Sequence, residues 1–375
     1  MSRGLGDVYK RQQLTGVLRR VADVYEFEDL LRDALADQHM KGLLVDELVK
    51  LYGCEELAQE FKDTEDAALA AQLFQGTPMR KDSLEKFLNP LRHAIPPLPN
   101  AFFTRDAVMA VNESVIIGSM AFKARFAEAL LLKAIFKYHD KIRSDGFYFD
   151  GTASTSEKIT IEGGDLLVLR EDLIMIGHSE RTTTRGIDTL MRAIAEKGGV
   201  ENFVVVEIPK SRATIHLDMI FTMVDRDRCV AFSPLITGMH KCRAFHVRYE
   251  QQRVKRIVEY PGVLEALRTQ GLDLKPIPCG GDNELRQERE QWSSGANFFA
   301  MAPGHIIGFE HNQATAEELA KSGFEIVSAD RLISEDLSLE PGQPTLVTMH
   351  GSELSRGGGG CRCMTMPLNR NPVNW

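Results

Sequence analysis

Three prolines divide this chain into two parts of different texture. The stretch 35–95 is rich in Leu, Ala, Glu and Lys with apolar residues at helical spacing, whereas short apolar runs separated by turns follow it. Pro96, Pro97 and Pro99 cannot continue a helix, because proline lacks an amide hydrogen and restricts the residue before it. We therefore expect a helical subdomain at 35–95 and an α/β domain at 96–375.

The second part alternates strand-like and helix-like segments. Apolar runs predict strands within 114–118, 165–177, 203–208, 219–232 and 297–309. Amphipathic spacing predicts helices at 122–138, 183–196 and 315–322. Thr315 with Glu318 predicts a capping box for the last helix, and Gly323 predicts its end. Such alternation is typical of the α/β class.

Leucine and phenylalanine side chains form the predicted core face of the helical block. The residues expected in one buried stripe are Leu43, Leu44, Leu48, Leu51, Leu57, Phe61, Leu84, Phe87 and Leu88. Ahead of the block, Leu14, Val17, Leu18 and Val21 predict an amphipathic helix. Residues 1–12 have no apolar period and join this helix abruptly, so we interpret them as a non-native leader.

Composition argues against several classes of protein. The net charge of -8 and the pI near 5.8 disfavour a general nucleic-acid binder, which needs a basic face to replace the counterions of phosphates. The sequence has no run of about 18 apolar residues and no signal peptide pattern, so we expect a cytosolic protein with no membrane partner. The 6 cysteines are too scattered for a disulfide framework. Cys361 and Cys363 form a CxC without a second pair, so we expect no metal ion.

A short polar motif recurs along the second part. The sequence Gly-Gly-Asp ends at Asp165 and again at Asp282, each time before a predicted strand. Asp106, Asp218 and the Gly-Cys segment near the end of the chain lie at comparable breaks. The recurrence predicts a repeat architecture built from similar supersecondary units, with chance recurrence of a short motif as the alternative.

The segment 356–368 carries a candidate nucleophile. The glycine run 357–360 lets the backbone pass close to a ligand without steric strain, and Cys363 follows it. Arg356 and Arg362 are positive neighbours, and positive neighbours stabilise a thiolate over a thiol. The alternative is a surface loop followed by an ordinary buried cysteine.

Six side chains at the predicted breaks could act together in one reaction. They are Asp106, Glu162, Asp165, His216, Asp218 and Cys363. A thiol, an imidazole and several carboxylates suit covalent transfer of an acyl or amidino group, with the histidine moving protons near neutral pH. Carboxylates that converge on one site are costly unless they meet a cation, and a guanidinium is the planar cation that two carboxylates clamp.

The chain resembles the arginine deiminases, which are guanidino-group-modifying enzymes with a five-bladed α/β-propeller, or pentein-like, fold. The matching segments occur in the family's order at 99–106, 161–165, 177–182, 215–221 and 362–368. The likeness runs from about Leu14 to the C-terminus, and the block 35–95 is similar to the helical insertion of this family. The resemblance implies hydrolysis of L-arginine to L-citrulline and ammonia through a covalent cysteine thiouronium intermediate.

The resemblance also implies a catalytic role for each matching residue. Cys363 would be the nucleophile. His216 would be the general acid and base, and Glu162 would orient its ring. Asp106 and Asp218 would clamp the substrate guanidinium.

Five further residues are implied to bind the substrate, namely Asn100, Phe103, Arg125, Asp165 and Arg181. Asn100, Arg125 and Arg181 match positions that hold the α-carboxylate and α-amino end of arginine. Phe103 matches an apolar wall, and Asp165 matches a supporting carboxylate. The plainer alternatives are a surface arginine, a turn aspartate and a core phenylalanine. We expect no cofactor, and we expect a homo-oligomer.

The sequence departs from the family pattern in two places. Family members often carry an arginine or a bulkier residue within the run 357–360, so we expect carboxylate recognition or loop order to differ here. In full members an N-terminal strand and a covering loop precede the segment that matches Leu14. We therefore interpret 13–34 as the start of a propeller whose N-terminal part is missing, which would leave the edge of one blade exposed.

Three rival functions share the implied fold. An amidinotransferase or a dimethylarginine hydrolase would use the same cysteine step, but the helical block and the tail 364–368 resemble the deiminase branch. A non-catalytic propeller that binds a macromolecule, as the ribosome anti-association factors do, would have no use for Cys363, His216 and Glu162 together.

Overall fold

The structure is a computed structural model that describes residues 5–153, 158–351 and 358–373, without the side chains of 5–11. The helices are α1 (Leu5–Leu18), α2 (Phe27–Leu35), α3 (Gln38–Tyr52), α4 (Ala58–Asp63), α5 (Asp66–Gln75), α6 (Leu84–Leu88), α7 (Thr104–Ala107), α8 (Phe126–Tyr138), α9 (Thr184–Glu196), α10 (Ser233–Ile236), α11 (Val263–Thr269), α12 (Glu284–Trp292), α13 (Gln313–Lys321) and α14 (Ala329–Ser334). Short 3-10 helices lie at Glu55–Leu57, Lys123–Arg125, Gly163–Asp165, Arg212–Thr214 and Leu217–Met219.

The strands are β1 (Thr77–Pro78), β2 (His93–Ile95), β3 (Val108–Val111), β4 (Ser114–Ile117), β5 (Phe147–Asp150), β6 (Leu166–Arg170), β7 (Leu173–His178), β8 (Asn202–Glu207), β9 (Phe221–Asp225), β10 (Arg228–Ala231), β11 (Ala244–Glu250), β12 (Arg253–Tyr260), β13 (Lys275–Pro278), β14 (Phe299–Ala302), β15 (His305–Phe309), β16 (Glu325–Ser328) and β17 (Thr345–Met349). Helices alternate with mixed sheets, so the α/β class predicted from the sequence is confirmed. The predicted helices 122–138, 183–196 and 315–322 correspond to α8, α9 and α13 within a few residues.

One supersecondary unit recurs along the second part. An antiparallel hairpin is followed by a helix and then by a strand parallel to the second hairpin strand, as in β3-β4-α8-β5 and β6-β7-α9-β8. The third unit joins β9 and β10 to β13, and in the fourth β17 pairs in parallel with both β15 and β16. The hairpin β11-β12 extends the second sheet, giving the order β12-β11-β8-β7-β6. The predicted repeat of similar units is confirmed, although the Gly-Gly-Asp motif does not mark it.

The two Gly-Gly-Asp copies lie in different places. Gly163–Asp165 forms a 3-10 turn directly before β6, as predicted. The second copy follows β13 and leads into α12, so the prediction that it precedes a strand is wrong. The capping box is also wrong, because α13 begins at Gln313 and Thr315 lies inside it. The Thr315 hydroxyl instead donates to Glu290 Oε2 at 2.6 Å, which ties α13 to α12.

The helical block shares a hydrophobic core with the first repeat unit. Helices α2, α3 and α5 pack with α8 and with residues of β3 and β4. Asp37 caps α3 by accepting the amide hydrogens of His39 and Met40, and Gly53 ends it with a φ of 66°. These caps fix where α3 begins and ends.

The leucine stripe predicted for this block is partly wrong. Leu44 and Leu48 are buried, whereas Leu43 and Leu51 are exposed. The three residues at α6 were predicted to close the stripe, but Leu84, Phe87 and Leu88 are 74%, 69% and 70% exposed. Helical spacing identifies the elements here, but packing against α8 decides which of their apolar residues are buried.

The N-terminal helix packs against the fourth unit. α1 spans Leu5–Leu18, so it begins before Leu14, where the apolar pattern predicted its start, and ends before Val21. Leu14 and Val17 lie in one core cluster with Ile307 and Leu332. Gln13 Nε2 donates to Asp330 Oδ1 at 2.6 Å. None of the helices within the described residues is both long and apolar enough to cross a membrane.

Candidate active site

Three turns at the starts of the first strands of the repeat units bring the site together. α7 precedes β3, the turn 163–165 precedes β6, and the turn 217–219 precedes β9. α7 contacts the turn 163–165, which in turn contacts the turn 217–219. Glycine is required at this crossing, because a Cβ on Gly163 would lie 2.0 Å from the Arg105 carbonyl oxygen. The architecture thus explains why the chemically active residues recur at breaks in the sequence.

Glu162 orients the ring of His216. Oε2 of Glu162 lies 2.9 Å from Nε2 of His216, and Oε1 accepts the amide hydrogen of Ala121 at 2.9 Å. Gly164 packs against the imidazole ring of His216, since a Cβ at position 164 would lie 2.4 Å from His216 Nδ1. Nδ1 itself lies 3.7 Å from Oδ1 of Asp106, so it faces the second carboxylate.

His216 is positively charged at neutral pH. Burial opposes its charge, but the carboxylates of Asp106, Glu162 and Asp165 outweigh that effect and raise its pKa to about 10. The imidazolium is the form of histidine that can donate a proton to a leaving group.

Asp106 and Asp218 each keep one buried carboxylate oxygen free of hydrogen bonds. Within the described residues, Oδ1 of both side chains has no hydrogen-bond partner. The other oxygens are occupied, because Asp106 Oδ2 accepts from Arg125 Nη1 at 2.6 Å and Asp218 Oδ2 accepts from Arg362 Nη1 at 2.7 Å. Leaving a buried acceptor without a donor is costly, so two such oxygens in one site are candidates for contact with a ligand.

Cys363 lies buried beside this pair, with 4% of its surface exposed. Its Sγ is 3.2 Å from Nδ2 of Asn297 and 3.8 Å from Oδ2 of Asp218. Burial raises the pKa of the thiol well above its ordinary value, and the charges of Asp218 and Asp106 raise it further. These surroundings therefore favour the neutral thiol over the thiolate.

The sequence predicts that positive neighbours favour the thiolate of Cys363, whereas its surroundings in the structure favour the thiol. Arg362 lowers the pKa of the thiol only slightly against these effects, since it is paired with Asp218. Arg356 and Gly357 lie outside the described residues.

The backbone around Cys363 is held by buried polar groups. Arg362 Nη2 donates to the Leu166 carbonyl at 2.7 Å, and the amide hydrogen of Arg105 is donated to the Cys363 carbonyl at 3.2 Å. The Arg105 side chain adds a hydrogen bond from Nε to the Arg362 carbonyl at 3.2 Å. Hydrogen bonds thus join the nucleophile segment, which is the backbone around Cys363, to residues near the starts of β3 and β6.

Asp165 uses both carboxylate oxygens within the protein. It accepts from Ser179 Oγ at 2.6 Å and from the Leu217 amide at 2.9 Å. Burial raises its pKa to about 7, although His216 and these hydrogen bonds oppose the shift. Through these contacts Asp165 is joined to the turn that follows His216.

The two arginines expected at the substrate carboxylate differ in their contacts. Arg125 is fully engaged, donating from Nε to Glu128 at 2.9 Å, from Nη1 to Asp106 at 2.6 Å and from Nη2 to the Phe103 carbonyl at 3.0 Å. Arg181 donates from Nη1 to Glu162 at 3.3 Å, and its buried Nε has no partner among the described residues. Arg181 is therefore the better placed of the two for a further anionic partner.

Asn100 and Phe103 lie in the segment that follows the proline linker. The backbone amide hydrogen of Asn100 is donated to Glu128 Oε1 at 3.0 Å. The ring of Phe103 packs against the nucleophile segment, because a Cβ on Gly359 would lie 2.5 Å from Phe103 Cε1. Gly359 therefore lets this aromatic wall reach the segment that leads to Cys363.

The site also contains a group with metal-ligand spacing. One ligand atom from each of Asp106, Glu162 and His216 lies within 4.8 Å of the others. Arg125 and Arg181 already pair with the two carboxylates. The cationic imidazole has no free lone pair for a metal, so this environment suits a proton donor better than a metal ligand set.

Sequence reasoning missed Asn297, whose amide contacts the nucleophile. It lies two residues before β14, the same separation that Asp106 has from β3. The position of Asn297 in the repeat unit could have identified it, but the second Gly-Gly-Asp motif lies in a different turn, before α12.

A buried thiol, an imidazolium and paired carboxylates are the parts of an enzyme with a cysteine nucleophile. The arginine deiminase family model matches residues 10–370. The arginine deiminase of Bacillus cereus (strain ATCC 10987) is 31% identical over 361 residues, which cover 93% of this chain and 80% of that protein. The chain belongs to the arginine deiminase family.

Other similarities extend over different lengths. The arginine deiminase of Streptococcus gordonii is 35% identical over 284 residues, and the match spans 75% of this chain and 63% of that protein. A dimethylarginine dimethylaminohydrolase adduct with 4-chloro-2-hydroxymethylpyridine has 16% identity and a TM-score of 0.44, covering 72% of this chain and 81% of that one. The product-bound N-terminal domain of ArgZ, an arginine dihydrolase from cyanobacteria, has 17% identity and a TM-score of 0.47, covering 73% and 77%.

Proposed function

We propose that this protein hydrolyses L-arginine to L-citrulline and ammonia through a covalent thiouronium intermediate on Cys363. The observation that carries the proposal is the pair of buried oxygens, Asp106 Oδ1 and Asp218 Oδ1, which lack a donor within the described residues. A guanidinium presents several N–H donors in one plane and can therefore donate to both of these carboxylate oxygens. Membership of the arginine deiminase family supports arginine as the substrate.

Cys363 attacks the guanidinium carbon. Before substrate binds, burial and the carboxylates of Asp218 and Asp106 keep the thiol protonated by raising its pKa. A guanidinium held between those carboxylates brings a positive charge close to Sγ, so the thiol loses its proton to solvent and becomes nucleophilic. Holding the two reactants in line contributes on the order of 7 kcal/mol to lowering the barrier.

His216 moves the protons of both half-reactions. Its imidazolium, hydrogen-bonded to Glu162 at 2.9 Å, donates a proton to the leaving nitrogen, so the C–N bond breaks and ammonia departs. The neutral ring then takes a proton from water as the water oxygen attacks the thiouronium carbon. The hydroxyl of the adduct then loses its remaining proton to solvent as the C–S bond breaks, which releases citrulline and regenerates the thiolate and the imidazolium.

Arg181 is the proposed partner of the substrate's α-carboxylate. Its unpartnered Nε supports this role, and its guanidinium lies 4.2 Å from the ring centroid of Phe122, which limits its orientation. Arg125 would have to leave Glu128 to reach a carboxylate, so we propose that in this state it holds Asp106 in place. Asn100 is proposed to contact the amino-acid end of the substrate.

We further propose that the repeated units belong to a five-bladed α/β propeller. In this division 13–34 and 96–375 form the catalytic part, 35–95 is a helical insertion and 1–12 is a leader. Recurrence of the hairpin, helix and parallel strand supports the propeller.

We also propose that the enzyme is a cytoplasmic homo-oligomer, and light scattering of the purified protein would test its assembly.

The experiment that tests the function is a product assay with and without an amine that could accept the amidino group. The protein is incubated with L-arginine in the presence and absence of glycine, and citrulline, ammonia and guanidinoacetate are measured. Equal amounts of citrulline and ammonia, unaffected by glycine, are expected. Guanidinoacetate formation would identify an amidinotransferase, and release of dimethylamine from dimethylarginine in preference to turnover of arginine would identify the other rival.

A further inference from the structure

Asn297 is a buried amide that contacts the nucleophile in two ways, and it is 1% exposed. Its Oδ1 accepts the amide hydrogens of Arg362 at 3.1 Å and of Cys363 at 3.4 Å. Its Nδ2 lies 3.2 Å from Cys363 Sγ. One side chain therefore holds the two peptide groups that lead into Cys363 and also faces the sulfur.

The orientation of this amide is fixed by its surroundings. Two backbone N–H groups point at Oδ1, which must therefore be the acceptor. Nδ2 has two hydrogens, and its neighbours are the Asp218 carbonyl at 3.2 Å, Cys363 Sγ at 3.2 Å and, farther away, Met219 Sδ at 3.9 Å. One hydrogen is available to each of the two nearer acceptors. The close fit depends on Gly360, because a Cβ there would lie 2.5 Å from Asn297 Oδ1.

The position of Asn297 in the repeat makes its chemistry informative. The corresponding turns of the first three units carry the carboxylates Asp106, Asp165 and Asp218, each within three residues of the strand that follows. The fourth unit has an amide instead. An ionised carboxylate can only accept hydrogen bonds, whereas an amide is neutral and can donate one. Of the two members that contact the sulfur, Asp218 and Asn297, only the amide of Asn297 is thus able to stabilise a negative charge.

We propose that Asn297 is a further catalytic residue, which donates a hydrogen bond from Nδ2 to the Cys363 thiolate. The inference rests on the proposed role of Cys363 as nucleophile. The sulfur is negatively charged before it attacks and again when the thiouronium breaks down, and hydrogen bonds to charged acceptors are the strong ones. Asp106 and Asp218, which the cationic substrate requires, both oppose that charge. Asn297 offsets their effect without adding a charge of its own.

Alkylation of Cys363 by iodoacetamide tests the inference without substrate. The thiolate displaces iodide, so the rate of carbamidomethylation at Cys363, measured by peptide mass spectrometry from pH 6 upward, reports the thiolate population. The variants are Asn297→Ala and the nearly isosteric Asn297→Asp. The second keeps an oxygen that accepts the two backbone N–H groups but has no N–H for the sulfur. Circular dichroism and thermal melting identify which variants are folded.

Asn312→Ala is the matched control. Asn312 is 2% exposed, and its Nδ2 donates to the Ser293 carbonyl at 3.1 Å, so its loss also removes a buried amide. We expect Asn297→Asp and Asn297→Ala to slow alkylation at neutral pH about tenfold or more and to move its midpoint upward by about one pH unit or more. Asn312→Ala should alkylate as the wild type does.

The outcomes separate this inference from the proposed function. An unshifted alkylation profile in folded Asn297→Asp overturns the inference, whatever the activity of the wild type. A shifted profile together with no citrulline from the wild-type protein leaves the thiolate contact standing and refutes the deiminase. Because aspartate adds a charge that by itself raises the pKa of the thiol, a shift in Asn297→Asp that is absent from folded Asn297→Ala also overturns the inference.

Discussion

Oε2 of Glu162 lies 2.9 Å from Nε2 of His216, and both side chains are buried. Asp106 faces the other ring nitrogen at 3.7 Å, so the ring lies between two carboxylates. Burial alone would lower the pKa of His216, but these charges raise it to about 10. The proton that the leaving group requires is thus already on the ring before substrate arrives.

Replacing Glu162 with Gln should lower the pKa of His216. The amide keeps the size of the side chain but removes one of the charges that stabilise the imidazolium. We expect the high-pH limb of the kcat profile to move to lower pH by about one unit or more, with a lower maximum rate. Turnover of saturating arginine across pH 5 to 11 measures the shift.

Glu290→Gln is the control for this pH profile. Glu290 is also buried, but it accepts hydrogen bonds from Ala314 and Thr315 at the start of α13, away from the reacting groups. Its substitution should lower stability and leave the limbs of the profile in place. An unshifted limb in Glu162→Gln would mean that Glu162 does not set the charge of His216.

His216 should make the folding stability depend on pH. Its folded pKa of about 10 lies above the ordinary value of 6.5, so its contribution is fully present below about pH 6.5 and is lost as the pH rises to about 10. The raised pKa of Cys363 acts in the same direction, so the measurement uses Cys363→Ala as the background. We expect His216→Gln to flatten the decline of the free energy of unfolding over that range in urea titrations. An equal slope in both proteins would contradict the raised pKa.

Replacing Cys363 with Ala should abolish citrulline formation while leaving arginine binding largely intact. The proposed clamp uses Asp106 and Asp218, which do not need the thiol. Isothermal titration with arginine and a citrulline assay separate the two properties. Cys361→Ser serves as the comparison, since Cys361 is buried in the core of the fourth unit and should retain turnover at some cost in stability. Substantial turnover by Cys363→Ala would exclude the covalent mechanism.

Agmatine, which lacks the α-carboxylate, should be a poor substrate. A closed site would leave the Nε–H of Arg181 without an acceptor, and a buried donor of a charged group left without an acceptor costs roughly 3 kcal/mol. We expect kcat/KM for agmatine to be lower than for arginine by a factor of about 100 or more. Arg181→Ala should narrow the ratio of the two kcat/KM values, mainly by lowering the value for arginine. A ratio unchanged by that substitution would remove Arg181 from carboxylate recognition.

Periodicity and local motifs predicted the elements better than their packing. The apolar residues located α9, which buries one face along its length, and α8, which is buried on nearly every side. The spacing of such residues could not distinguish Leu43 from Leu44, since burial in α3 depends on where α8 lies. Thr315 matched the local signature of a cap, but its hydroxyl bonds to Glu290 on another helix.

The site divides in the same way between local and long-range information. The residues Asp106, Glu162, His216 and Cys363 stand out because each belongs to a short motif. Asn297 lies in no such motif, and its relation to Cys363 arises from contacts between segments that are 66 residues apart. The raised pKa of the thiol was equally hidden, because Arg362 acts on Asp218 more than on the sulfur beside it.

Alanine at Gly360 should damage catalysis far more than alanine at Gly42. A Cβ at position 360 would lie 2.5 Å from Asn297 Oδ1 and 2.8 Å from the Asn297 carbonyl oxygen, so the backbone that leads to Cys363 must shift. A displacement of that kind at a reacting centre costs about 100-fold in kcat. Gly42 lies inside α3 with no atom within 4 Å of the position of a Cβ, so alanine there should stabilise the helix by about 0.5–1 kcal/mol.

Both glycine variants are measured for kcat with arginine and for thermal stability. Gly42→Ala should melt at a higher temperature with unchanged turnover, which shows that a glycine substitution is not harmful in itself. Gly360→Ala should lose turnover even where it remains folded, because the contact between Asn297 and the nucleophile segment cannot form as it stands. Wild-type turnover in Gly360→Ala would mean that the segment moves freely during the reaction, and the position of Cys363 in this structure would then not be the one that attacks.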